Sequence, residues 1–266
     1  MFLACHTVPY RSYEDTIPNL LDTIGAADVL ANQKRVLIKP NLVNSSPPPI
    51  TLPVEACRAL VRFCRSSSQA DIVIAEGTGD PSRSTHELFV EHGYDSIAKE
   101  FNLDLVDLNE ADLIELSNPE CRFFPRFMMP KVVMDSYVVS AAPLKAHSLA
   151  KVTLSMKNMI GVAPPAYYQR GGFWRKSLFH EQMQTSIFEL NCYRKPDLAF
   201  LDASVGMAEH HLGGPTCDPP VRKLVAGFDA VAVDATGAEL LGISWHHVGH
   251  IKMANGVLGK ADPQLA

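Results

Sequence analysis

The 266-residue chain lacks paired cysteines, excess basic charge and long apolar runs, and each absence closes a class of function. Its six cysteines stand at 5, 57, 64, 121, 192 and 217, and no two are separated by only two residues. The usual ligand spacings of iron–sulfur clusters and structural zinc are therefore missing. Cys57 and Cys64 lie seven apart in a segment of helical periodicity, which puts them on one face as buried free thiols. With no sign of secretion, disulfides are not expected. A net charge of −5 leaves no basic footprint for nucleic acid. No apolar run reaches the roughly 18 residues that a membrane helix needs. The opening MFLACHTV lacks the basic start of a signal peptide. A soluble, cytoplasmic protein is expected, with neither nucleic acid nor membrane as partner. Gly77-Thr78-Gly79 is too short to be a dinucleotide fingerprint, and no repeat or low-complexity tract is visible.

What the chain does have is alternation. Apolar runs at 2–8, 36–39, 71–75, 103–106, 137–141, 198–202 and 221–227 read as strands, most of them buried on both faces. Between them, helical spacing appears at Tyr13–Ile24, Pro53–Arg65, Thr85–Ala98 (interrupted at Gly93), Phe179–Leu190 and Asp229–Leu241, with Asp229 a natural N-cap. A last helix is expected near His246–Asn255, its histidines 246, 247 and 250 forming a surface cluster. Residues 113–116 and 123–133 look irregular or antiparallel. The pattern predicts an α/β fold: a mostly parallel sheet with helices on both faces and a smaller antiparallel part. One domain over 1–266 is expected, or two lobes divided near 110–135.

The stretch Ser136–Gly161, SYVVSAAPLKAHSLAKVTLSMKNMIG, carries the densest chemistry. Its spacing predicts a strand over 137–141, a break at Pro143, a turn bearing Lys145 and His147, and a helix whose apolar face holds Leu149, Val152, Met156, Met159 and Ile160. Lys151, Lys157 and Asn158 lie off that face. Lys39 and Asn41 end another strand, Glu76 a third and Asp202 a fourth. In open α/β sheets ligands bind beyond the carboxyl ends of strands. These residues therefore point to a cationic site for an anionic small molecule. Lys145 and Lys157 would hold carboxylate or phosphate as point charges, and His147 would move a proton. Glu76 or Asp202 would orient that histidine, serve as a second acid/base or help hold a metal. Asn41 and Asn158 would supply neutral hydrogen bonds. His147, Lys145 and Glu76 are the catalytic candidates; Lys39, Asn41, Lys157, Asn158 and Asp202 are the binding candidates. Loop 163–176 reads as a lid that brings Tyr167, Tyr168, Arg170, Trp174 and Arg175 over a ligand. Its alternative is a connector or subunit contact. His210 and His211 are adjacent, and neighbours on a strand face opposite ways, so the pair makes a poor metal site.

VLIKPNLV at 36–43, IVIAEGTG at 72–79, GYDSIAKEFNLDLVDLN at 93–109, APLKAHSLAKVTLSMKNMIG at 142–161, FDAVAVDATGAELLGI and HIKMANGVLGKAD occur in an order that resembles the bacterial and archaeal family called domain of unknown function 362. The resemblance spans almost the whole chain and implies an α/β fold. Many relatives carry ferredoxin-type cysteine motifs, which this chain does not. The family is also distantly similar to the amino-terminal part of nickel-pincer lactate racemases, a similarity that places no cofactor on any residue here. The expected function is acid–base or redox chemistry on an anionic small molecule. The alternative is a non-catalytic carrier or an accessory to a metalloenzyme. The cofactor is unknown, and a second copy of the chain or a redox protein remains a candidate partner.

Overall fold

The computed structural model describes residues 4–262. The strands are β1 (His6–Pro9), β2 (Arg35–Pro40), β3 (Asp71–Glu76), β4 (Asp104–Asp107), β5 (Leu113–Ser117), β6 (Arg126–Pro130), β7 (Tyr137–His147), β8 (Lys151–Thr153), β9 (Leu198–Met207) and β10 (Lys223–Gly227). The helices are α1 (Tyr13–Thr23), α2 (Ala26–Leu30), α3 (Val54–Ser67), α4 (Thr85–Glu91), α5 (Tyr94–Phe101), α6 (Lys131–Met134), α7 (Ser155–Asn158), α8 (Pro165–Tyr168), α9 (Met183–Tyr193), α10 (Ala230–Leu240) and α11 (Gly249–Ala254). Eight strands form one sheet in the order β1-β10-β9-β7-β2-β3-β4, with β8 added to β7. From β9 to β4 the strands are parallel, whereas β10 and β1 are each antiparallel to their inner neighbour. β5 and β6 pair only with each other, antiparallel. The α/β fold expected from the alternation is the fold observed, small antiparallel part included. Residues 2 and 3 of the first expected strand lie outside the described residues.

Helices on both faces bury the central strands twice over, which is why these strands read as unbroken apolar runs. Val36, Ile38, Ile72, Ile74 and Val139 face one core, built with α1, α3 and α5 and including the free thiols Cys57 and Cys64. Leu37, Val73, Ala75 and Val138 face the opposite core, where Phe124, Phe127, Phe179 and Leu190 pack. Local signals agree with the fold. Ser84 and Glu87 close a reciprocal capping box on α4, and Asp229 accepts the Val231 and Ala232 N–H groups at the start of α10. Among the described residues no helix is long and apolar enough to cross a membrane.

The stretch 136–161 departs from expectation. β7 does not stop at Pro143. It runs on to His147, then turns back through β8, which pairs Lys145 with Thr153 and His147 with Lys151. Pro143 is tolerated because the ladder to β9 shifts register between Pro143 and Lys145, where a missing N–H leaves no ladder bond unmade. Lys151 takes a positive φ of 68° at the return of the hairpin. No helix begins at Leu149, which is 55% exposed instead of core-facing. Helix starts only at Ser155, for one turn, because a residue far along the chain caps it: Asp234 of α10 accepts the Ser155 and Met156 N–H groups at 2.8 and 2.9 Å. The histidine cluster near 246–250 is split as well. His246 and His247 are exposed, but His250 is fully buried beside Gln184.

Glu189 of α9 holds the loop between β5 and β6. Its carboxylate accepts N–H groups from Arg122, Phe123 and Phe124 at 2.7–3.1 Å. That seats Phe124 against Phe127, Tyr168 and Phe179. Tyr168, expected in a lid, is therefore a core residue. Glu189→Ala leaves these donors, the buried Phe124 N–H among them, without their acceptor and is expected to lower stability in urea denaturation by about 2–4 kcal/mol. Glu189→Gln, which keeps one acceptor oxygen, should recover part of the loss. A change within about 0.5 kcal/mol for the alanine variant would show that the loop finds other partners.

Candidate functional site

Lys39 is the penultimate residue of β2 and Glu76 the last of β3, its parallel neighbour. Their side chains meet in full burial, with Lys39 Nζ 2.8 and 2.9 Å from the two carboxylate oxygens. Glu76 also accepts the Gly77 N–H at 2.8 Å. Asn158, on the single turn of α7, locks the pair to the sheet. Its Nδ2 donates to the Lys39 carbonyl at 3.1 Å and to Ser140 Oγ at 3.0 Å. Its Oδ1 accepts from Asn41 Nδ2 at 3.1 Å. Asn41 Oδ1 in turn accepts a hydrogen bond from Lys145 Nζ at 2.6 Å, and the same nitrogen donates to the Ile50 carbonyl at 2.5 Å. Lys39, Asn41, Glu76, Lys145 and Asn158 thus form one buried network at the strand ends.

A further lysine enters from the loop after α8. Lys176 Nζ donates to Asn109 Oδ1 at 2.8 Å and to the Gly161 carbonyl at 3.1 Å, and also to the Ala163 carbonyl. Burial disfavours the ammonium form of these lysines. Lys39 is pushed down by desolvation, offset in part by Glu76. Lys145 is pushed well down, by desolvation and then by the charge of Lys157. Desolvation brings Lys176 to about 7.

Beside this network lies a cavity of about 310 Å³. The turn after β3, the β7–β8 hairpin, α7 and the loop around Trp174 wall it, and Lys157, His147 and His211 line it. Lys157 is half-buried, is held by desolvation at about 8, and makes no hydrogen bond or ion pair among the described residues. His147 is fixed differently from expectation. Its Nδ1 accepts the Leu149 and Ala150 N–H groups at 3.0 and 3.2 Å, closing the hairpin turn. An acceptor at Nδ1 puts the ring proton on Nε2. Protonating the ring would aim a second N–H at those two donors. Burial and the Lys157 charge act in the same direction, so His147 stays neutral and strongly resists protonation. It presents an N–H donor, not a base. His211 stacks on it, centroids 3.9 Å apart and planes 9° from parallel, with its buried Nδ1 unpartnered. Desolvation and Lys157 lower His211 to about 3.

Seven of the eight candidate residues thus lie in the buried network or the cavity wall. Asp202 does not. β9 continues past it to Met207, and its carboxylate accepts Tyr13 Oη–H at 2.9 Å and the Ser204 N–H at 2.9 Å, in contact with α1. Of the expected lid residues, Trp174 lines the cavity, and the Arg175 N–H ties the loop to the Gly79 carbonyl at 2.9 Å. Tyr167 and Arg170 are exposed. Sequence reasoning did not single out Lys176, one cation among several in a loop, nor assign His211 a place against His147.

Fold and site together define an α/β protein with a cavity, lined by Lys157 and Lys176, beyond the carboxyl edge of a mostly parallel sheet. The chain belongs to the family described as domain of unknown function (DUF362), whose model matches residues 36–239. No curated protein gives a significant match.

Two outcomes follow from the network. Glu76→Gln leaves Lys39 buried without its counter-charge, and Lys39→Met leaves Glu76 likewise. Each is expected to lose about 3–5 kcal/mol in chemical denaturation, and the double variant less than the sum of the two. Additive losses would mean that the two charges do not stabilise each other. Lysines held below their unfolded value near 10.4 bind fewer protons folded than unfolded, so stability should rise with pH from about 7 to 8.5. Above that range ionisation of the unfolded chain's thiols opposes the rise, because burial pushes Cys57 and Cys64 up in the folded state. Lys176→Met should flatten the slope between pH 7 and 8.5; an unaltered slope would show that Lys176 does not titrate there.

Proposed function

We propose that this protein is an enzyme that binds an anionic small molecule in the cavity beyond β2 and β3 and carries out acid–base chemistry on it. One observation carries the reading: Lys157 faces a cavity whose lining includes a single carboxylate, Glu76, already committed to Lys39 and a backbone N–H. An anion would supply the charge that the cavity wants. The ammonium of Lys157 would attract a carboxylate or phosphate, and the His147 N–H would direct one of its oxygens. With its proton exchange set near pH 8, Lys157 is also the group best matched to taking or giving a proton at working pH.

The test is calorimetric titration of the full chain with a panel of small carboxylates and phosphates, followed by turnover of each binder monitored by proton NMR. Lys157→Met should weaken binding roughly tenfold or more. Wild-type affinity should fall as pH rises through about 8, since the ammonium form attracts the anion, and the variant should not follow that curve. Binding without turnover would make the protein a carrier. Absence of binding across the panel would overturn the reading.

A further inference from the structure

Resting on that anion-binding reading, we propose that the ligand carries a carbonyl group beside its anionic group, as in a 2-oxo acid, and that Lys157 Nζ forms an imine with it. The four lysines of the site are not equivalent. The ammonium of Lys39 is held by Glu76, that of Lys145 by Asn41 and the Ile50 carbonyl, and that of Lys176 by three carbonyl oxygens. Each is locked in place with acceptors that only a charged or donating nitrogen satisfies. Lys157 alone has no acceptor, and it reaches the cavity, so its nitrogen can rotate and its lone pair is unencumbered. Enclosure favours a neutral, nucleophilic amine, the arrangement that activates imine-forming lysines. Burial alone brings Lys157 to about 8, so about a tenth of it is neutral at pH 7, far more than of an exposed lysine.

The chemistry favours attack on carbon over simple proton removal. An amine of this basicity does not strip a proton from carbon beside a carboxylate unless an electron sink adjoins it, and an imine makes that sink from the chain's own residue. In the step, the Nζ lone pair bonds to the carbonyl carbon while the C=O π electrons move to oxygen. Oxygen takes the proton released by nitrogen, giving a carbinolamine. Loss of that hydroxyl with a second proton, as water, leaves the C=N bond. Amine plus carbonyl thus gives imine plus water, with no oxidant or reductant. A proton taken up from solvent then gives the protonated imine, which restores the positive charge on residue 157, and the ligand's own carboxylate balances it.

The test incubates full-length protein with pyruvate or glyoxylate, traps with sodium cyanoborohydride, and maps adducts by intact-mass and peptide mass spectrometry. Thermal shifts with pyruvate and with lactate, its non-carbonyl counterpart, run in parallel. One reduced adduct per chain is expected, on Lys157, formed roughly tenfold faster than on any other lysine. Lactate should slow it, and Lys157→Arg, which keeps the charge, should abolish it. If both anions raise the melting temperature but no adduct concentrates on Lys157, the imine is overturned and anion binding stands. If neither anion shifts melting and labelling is spread over surface lysines, both fall.

Discussion

The buried ion pair between Lys39 and Glu76 governs the rest of the site. Taking both charges out of water is costly, and only close geometry with further hydrogen bonds offsets it. The chain meets that demand by ending two adjacent parallel strands at the same level and packing residues 155–162 directly over the pair. The packing is tight enough to fix residue 161 as glycine: a Cβ there would lie 2.0 Å from Glu76 Oε1 and 2.3 Å from Lys39 Nζ. Because Glu76 is spent on Lys39, it is not free to neutralise the cavity. A structural pair thereby sets the functional electrostatics, leaving positive charge in excess where a ligand would sit.

The second constraint is the length of β7. Its last partner on β2 is Pro40, opposite Ala141, so residues 142–147 project about 20 Å past the end of β2. β9 overshoots beside it, pairing Met207 with Lys145. A parallel sheet normally leaves its ligand crevice to flexible loops. Here one wall is itself strand, stiffened by the β7–β8 hairpin and by the two backbone N–H bonds that pin His147. The lysines and asparagines of the network gain fixed positions from this, since each is anchored to regular backbone or to a one-turn helix that Asp234 caps.

Sequence made the alternation legible, because double burial leaves unbroken apolar runs that few other arrangements produce. Lys39 and Glu76 stand at the ends of those runs, as the alternation predicts. Pro143 misled, since proline breaks most strands and only a register shift, invisible locally, exempts this one. The same error hid the character of His147: on a turn before a helix it reads as a free acid–base group, whereas at a hairpin corner its Nδ1 is consumed by the backbone. Asp202 was misjudged for a related reason, as its strand runs five residues further and its side chain turns to Tyr13. Lys176 had no sequence signal at all. Its burial depends on carbonyls at 161 and 163 and an amide at 109, contacts that only the folded chain assembles.

What distinguishes this site from a generic basic patch is the division of labour among its lysines. Surface lysines are mobile and solvated, and their attraction for an anion is screened. Beside this cavity three lysine nitrogens are immobilised by acceptors before any ligand arrives, so they are held in place without reorganisation, the condition under which electrostatics contributes most to a reaction. Lys157 is the one left without an acceptor among the described residues, and burial alone lowers its proton affinity, to about 8. Its charge acts on the network in turn: Lys157 pushes Lys145 further down than burial alone would, so Lys157→Met should let Lys145 hold its proton more tightly. The free lysine thus acts on a network to which it makes no hydrogen bond, by shifting how readily Lys145 carries a proton.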